Sequence, residues 1–201
     1  SSAASDVYKR QILRAAAAKN AGKIERLFVI GCLSERYADS LRAELPEVDG
    51  FFGARTWDGI ARALGAAEDP ALATERHLST PRHYAYLKIS EGCNWKCGYC
   101  AIPLIRGAYA SRPMESILAE CERLAKEGVK EVTLIAQDTS RYGTDFVPGT
   151  RLLPALLRQV AGMGFEWVRV LYCYPDTVDD ALLDTLAHTP HVVPYLDLPL
   201  Q

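Results

Sequence analysis

Three cysteines close together carry the chemistry most visible in this chain. They stand in the run Gly92-Cys93-Asn94-Trp95-Lys96-Cys97-Gly98-Tyr99-Cys100, separated by three residues and then by two. Closely spaced thiolates hold iron–sulfur clusters. A cube has four irons, and no fourth cysteine lies near, so three thiolates leave one iron open to another ligand. Two plainer chemistries compete. A structural zinc site uses four ligands, often as two short pairs. His83 could supply the fourth, but it lies ten residues before Cys93. A disulfide framework suits a small secreted domain, and the chain carries no secretory pattern.

The remaining cysteines have simpler readings. Cys121 falls on an apolar helical face, where a free thiol packs as a small hydrophobe. Cys173 ends an apolar run and also reads as packing, while Cys32 follows a short strand.

The bulk numbers exclude several classes. The chain has 201 residues, 49% of them hydrophobic, with a net charge of −2. That balance gives no global basic field to draw in nucleic acid. No run approaches the roughly 18 apolar residues of a membrane span. Six cysteines without a secretory signal point to a reducing cytoplasm.

The elements that must position these thiols can be read in outline. Residues 1–11 lack a cap or an apolar pattern and read as a non-native leader. Residues 12–65 read as helix, strand, helix, strand, helix, part of an open Rossmann-like α/β domain. The helices are expected over 12–21, 36–45 and 57–64, and the strands over 26–31 and within 46–53. Residues 66–84, with two prolines and no periodicity, read as a linker. From residue 85 strands and helices alternate, as in a parallel (β/α) barrel. Strands are expected at 86–90, 131–136, 167–173 and 192–198. Helices are expected from a Ser111 cap to 125, over 152–163 with Pro154 in the first turn, and over 178–187. Four strands do not close an eight-stranded barrel, so both ends of the chain read as cuts.

Reactive groups of such barrels lie at the carboxyl ends of the strands. Polar segments follow all four expected strands: the cysteine loop, Gln137–Gly143, Cys173–Asp176 and Asp197–Gln201. Lys88, Arg106, Arg112 and Arg141 fall near the same rim.

The run from Gly92 to Cys100, with Ala101-Ile102-Pro103, Arg106-Gly107 and Ser111-Arg112-Pro113, resembles the radical S-adenosylmethionine (SAM) methylthiotransferases. Gly31-Cys32-Leu33-Ser34-Glu35-Arg36-Tyr37 and Pro46-Glu47-Val48-Asp49 resemble the end of that family's amino-terminal domain. The resemblance covers nearly everything after residue 11. It implies a 4Fe–4S cluster on Cys93, Cys97 and Cys100 with SAM on the open iron. It further implies a second cluster, of which Cys32 matches one ligand, and SAM contacts from Tyr99, Gln137 and Asp138. An electron donor such as flavodoxin or ferredoxin is implied as well. One branch of the family modifies an adenosine of tRNA; the other modifies an aspartate of ribosomal protein S12. Ala136-Gln137-Asp138-Thr139-Ser140-Arg141-Tyr142-Gly143 resembles the second branch, since the tRNA branch usually has asparagine after the glutamine. The expectation is therefore a cytoplasmic enzyme acting on S12, incomplete as this chain. A tRNA methylthiotransferase and a non-enzymatic zinc or iron–sulfur module are the alternatives.

Overall fold

The computed structural model describes residues 2–54, 56–65 and 76–199. Most of the expected linker therefore lies outside the described residues. The chain divides into two compact units, Ser1–Asp69 with Tyr99–Arg106, and Pro70–Gly98 with Gly107–Gln201.

The first unit is a small α/β assembly. Helix α1 (Ser2–Asn20) is followed by β1 (Phe28–Ile30), α2 (Cys32–Glu44), β2 (Gly50–Phe52) and α3 (Trp57–Ala63). Strands β1 and β2 pair in parallel, Val29 opposite Phe51. Ile12, Leu41 and Leu45 form the core beneath Val29, Val48 and Phe51. Asp49 ties the pieces together. One carboxylate oxygen accepts from Lys19 Nζ and from the Leu27 amide, both at 2.6 Å. The lysine hydrogen bond holds the Asp49 carboxyl below its ordinary range. Helix α2 begins four residues before the expected start. Its backbone leaves helical geometry at Tyr37 (φ −129°), so one extra turn precedes the regular segment that the periodicity marks.

The second unit is built on three parallel strands in the order β3-β6-β7: β3 (Tyr84–Lys88), β6 (Glu131–Ile135) and β7 (Trp167–Val170). Leu87 stands opposite Leu134, and Leu134 opposite Val170. Helices α5 (Met114–Lys126), α6 (Leu153–Ala161) and α7 (Asp180–His188) alternate with the strands. Ala85, Leu87, Val132, Leu134, Val168 and Val170 are buried in the core. That alternation along β3 is the period of a strand with one covered face. Cys121 lies in the same core, as expected. Pro154 takes the first turn of α6, where its missing N–H costs nothing. Asp179 caps α7 by accepting from the Leu182 amide at 2.9 Å.

Three expectations are corrected. The first barrel strand lies two residues earlier than expected. Ser90 and Glu91 leave it to form β4, which pairs antiparallel with β5 (Ala110–Ser111). Ser111 is consequently a strand residue and not a helix cap; Pro113 precedes α5 with no side-chain cap. The fourth strand is reduced to a single bridge between Val168 and Val192. Pro194 lacks an N–H for a ladder, and the Tyr195 amide turns back to Val193 O. The segment still runs beside β7, since Cys173 N donates to Asp197 O at 3.0 Å.

Candidate functional site

The cysteine loop leaves β4 at Gly92, which a side chain could not occupy. Its φ is +78°, and a Cβ there would stand 2.2 Å from Ala108 O and 2.6 Å from Gly107 O. Two further bonds hold the loop against the returning chain: Cys93 N donates to Gly107 O at 3.1 Å, and Tyr109 N donates to Asn94 Oδ1 at 3.0 Å. Only glycine allows this turn, so the position of Cys93 follows from the residue before it.

Trp95, between the first two cysteines, is gripped by the two loops that follow β6 and β7. Its indole N–H donates to Asp138 Oδ2 at 2.7 Å. Its ring stacks on Tyr174, centroids 4.3 Å apart and planes inclined by 22°. The Arg141 guanidinium lies 5.4 Å from the Trp95 centroid and 5.3 Å from that of Tyr109. Asp138 is 1% exposed. Its other oxygen accepts from Ser140 Oγ at 2.8 Å; that hydroxyl is 2.6 Å from Thr177 Oγ1 and accepts from Tyr174 N. The sheet thus delivers three segments to one place: the cysteine loop, Asp138–Arg141 and Tyr174–Thr177.

Gln137, the last residue before this network, buries its Oε1 with no hydrogen-bond partner. An orphaned buried acceptor costs about 1–3 kcal/mol. Such an atom at a strand's carboxyl end suits a polar ligand. Tyr172, at the end of β7, has φ +63° without being glycine. Asp197 holds it there, accepting from Tyr172 N at 2.9 Å, while Thr139 N donates to Tyr172 O.

The expected site residues are distributed as follows. Cys93 and Cys97 are half-buried thiols of the second unit, neither in a disulfide, and Cys93 Sγ accepts from Trp95 N at 3.4 Å. Cys100, equally half-buried and free, belongs to the short stretch before α4 (Ile102–Arg106) that groups with the first unit, as does Tyr99, which is 76% exposed. Cys32 is exposed at the head of α2 and lines a cavity of about 460 Å³ with Tyr8, Ile12, Phe28 and Leu33. Among the described residues, no three His, Cys, Asp or Glu side chains are gathered to hold a metal ion. The donor set nonetheless suits iron–sulfur chemistry in kind: three thiols on one short loop, with no disulfide among them.

Of the four rim cations, Lys88 pairs with Glu91 at 2.7 Å, and Arg112 with the buried Glu120 at 2.8 Å. Arg141 is the one that stacks on Trp95. Cys173 is fully buried, and burial pushes its thiol up to about 12, as it does that of Cys121. Both are packing residues, in keeping with their sequence reading. Trp95, Ser140 and Tyr174 fell within expected rim segments without an individual role, and Thr177 fell outside them. Only Trp95 carried a signal, as the large aromatic residue between two of the expected ligands.

Comparison with known proteins meets this geometry from the other side. Residues 87–201 match the family model of the Radical SAM superfamily. The chain is 49% identical over 191 residues to the ribosomal protein uS12 methylthiotransferase RimO of Chlorobium phaeobacteroides (strain BS1), covering 95% of this chain and 43% of that protein. It is 47% identical to the protein of the same name from Chloroherpeton thalassium (95% and 44%), and 46% to that from Phocaeicola vulgatus (94% and 44%). The chain therefore spans less than half the length of these relatives. The matched segment opens within β3 and takes in the cysteine loop and the loops that grip Trp95, so the part of the chain that carries the site is also the part that the family model describes: this chain belongs to the radical SAM superfamily.

Proposed function

We propose that this chain is part of a methylthiotransferase that acts on an aspartate of ribosomal protein uS12 in the cytoplasm. The observation that carries the reading is the cysteine loop followed by Gln137-Asp138-Thr139, set in a chain 46–49% identical to relatives bearing that name. Cys93, Cys97 and Cys100 would hold a 4Fe–4S cluster, and Cys32 would be one ligand of a second. When bound, the groups supply one-electron cleavage of SAM to a 5′-deoxyadenosyl radical and the sulfur to be transferred, with a flavodoxin or ferredoxin as electron source.

The chain's own residues do the rest. Gly92 and Asn94 fix the course of the loop. Gln137 offers its unpartnered buried oxygen to a donor of the SAM methionine moiety, and Tyr99 offers an exposed ring face to its adenine. The packed wall of Trp95 and Tyr174 keeps water from one side of the loop. Among the described residues no helix is long and apolar enough to cross a membrane.

The test is mass spectrometry of uS12 and of total tRNA from a host lacking its own enzyme and expressing the gene that encodes this chain. A methylthio group on a uS12 aspartate is expected. The group on a tRNA adenosine instead would replace this substrate with the tRNA one, and neither modification would sink the assignment.

A further inference from the structure

Asp138 is buried and both its oxygens are engaged inside the protein, one by the Trp95 indole and one by Ser140. We infer that Asp138 is a positioning residue, which sets the cysteine loop by anchoring Trp95, and that it does not itself contact SAM. The inference rests on the proposed function only in taking the loop as the cluster site.

The geometry carries it in three steps. Trp95 is the only aromatic side chain between Cys93 and Cys97, so whatever fixes its ring fixes the backbone between two ligands. The ring is fixed from three directions: the Asp138 hydrogen bond, the Tyr174 stack and the Arg141 guanidinium. A tryptophan N–H is a donor only, and an ionised carboxylate is the strongest acceptor it can meet. Asp138 is in turn fixed by Ser140, whose hydroxyl also meets Thr177 and Tyr174 N. The anchor thus links the loops after β6 and β7 to the loop after β4. With Asp138 1% exposed, a ligand would reach its oxygens only by displacing the groups packed over them. Gln137, one residue earlier, has the unpartnered oxygen instead.

The experiment compares the parent with Asp138→Ala, Asp138→Asn, Trp95→Phe and the Asp138→Ala, Trp95→Phe double variant. Its first readout needs no iron: tryptophan emission and acrylamide quenching of the native chain, with circular dichroism to monitor the fold. Asp138→Ala should shift emission to the red and raise quenching, and the effect should vanish in the Trp95→Phe background, which assigns it to that ring. The second readout, after anaerobic reconstitution, is the SAM concentration needed to change the electron paramagnetic resonance spectrum of the reduced cluster. Asp138→Ala and Trp95→Phe should each raise it by about tenfold, the size of one charge-assisted hydrogen bond. The double variant should be no worse than either single, since both remove one interaction. Asp138→Asn keeps a carbonyl acceptor for the indole and should recover most of the loss.

Additive losses, or an Asn variant as impaired as Ala, would mean that Asp138 meets SAM through its charge, and would overturn the inference. Unchanged Trp95 fluorescence in Asp138→Ala would overturn it as well. A parent chain that takes up no iron would instead remove the reading of the loop as a cluster site, and the fluorescence would still decide the anchor.

Discussion

A glycine and four buried hydroxyl or thiol groups carry the sharpest consequences of single residues. Gly92 combines a positive φ with a Cβ position 2.2 Å from a carbonyl oxygen. Gly92→Ala should therefore lose at least about 2 kcal/mol, the scale of a strained backbone conformation, read as a lower urea midpoint. A variant as stable as the parent would contradict the described turn. Cys121 and Cys173, with Tyr109 and Tyr142, are all pushed up to about 12, first of all by burial. Their ordinary values are 9.0 for the thiols and 10.0 for the phenols. Unfolding lets each lose its proton at the lower value, so the unfolded state binds fewer protons between about pH 9 and 12. Stability from these groups is whole below pH 9 and falls as pH rises through that window. Iodoacetamide at neutral pH should accordingly label Cys32, Cys93, Cys97 and Cys100 in the native chain and reach Cys121 and Cys173 only after denaturation. Labelling of the last two without unfolding would show that their burial is wrong. The proposed cysteine ligands could be picked out in the sequence because their close spacing marks them. The partners of Trp95 were not, because Asp138 lies 43 residues away and Tyr174 farther still, and only the sheet brings them to it.

At the scale of elements, periodicity located the longer strands and helices but not their ends, and it missed the short β4, β5 and α4. The register of β3 moved because Ser90 and Glu91 found an antiparallel partner only two residues long, too short to leave a pattern. The fourth strand looked continuous in hydropathy, yet Pro194 cannot donate to a ladder. Helix α5 shows what such patterns conceal. Its inner face carries Glu120 among Ile117, Cys121 and Leu124. That carboxylate is 7% exposed and meets Arg112 at 2.8 Å and Arg76 at 3.0 Å. Removing one partner of a buried ion pair leaves the other charge uncompensated and costs about 3–5 kcal/mol; partial exposure of Arg76 and Arg112 puts this case at the low end. Glu120→Ala should thus lower the urea midpoint clearly more than Glu122→Ala on the same helix. Equal effects would mean that the two arginines are solvated without Glu120.

For the whole molecule, the central claim is that three thiols of one loop hold a 4Fe–4S cluster. Family membership supports it, since residues 87–201 match the Radical SAM superfamily. The described side chains are not gathered for a metal, so the claim must be tested on the protein with its metal. The most direct measurement is iron and acid-labile sulfide per chain after anaerobic reconstitution, in the parent and in Cys93→Ala, Cys97→Ala and Cys100→Ala, with zinc determined in the same samples. The parent should carry about four irons and four sulfides on that loop and a brown, oxygen-sensitive chromophore, and each variant should lose most of both elements. Zinc in place of iron, or a Cys97→Ala chain that holds as much iron and sulfide as the parent, would contradict it.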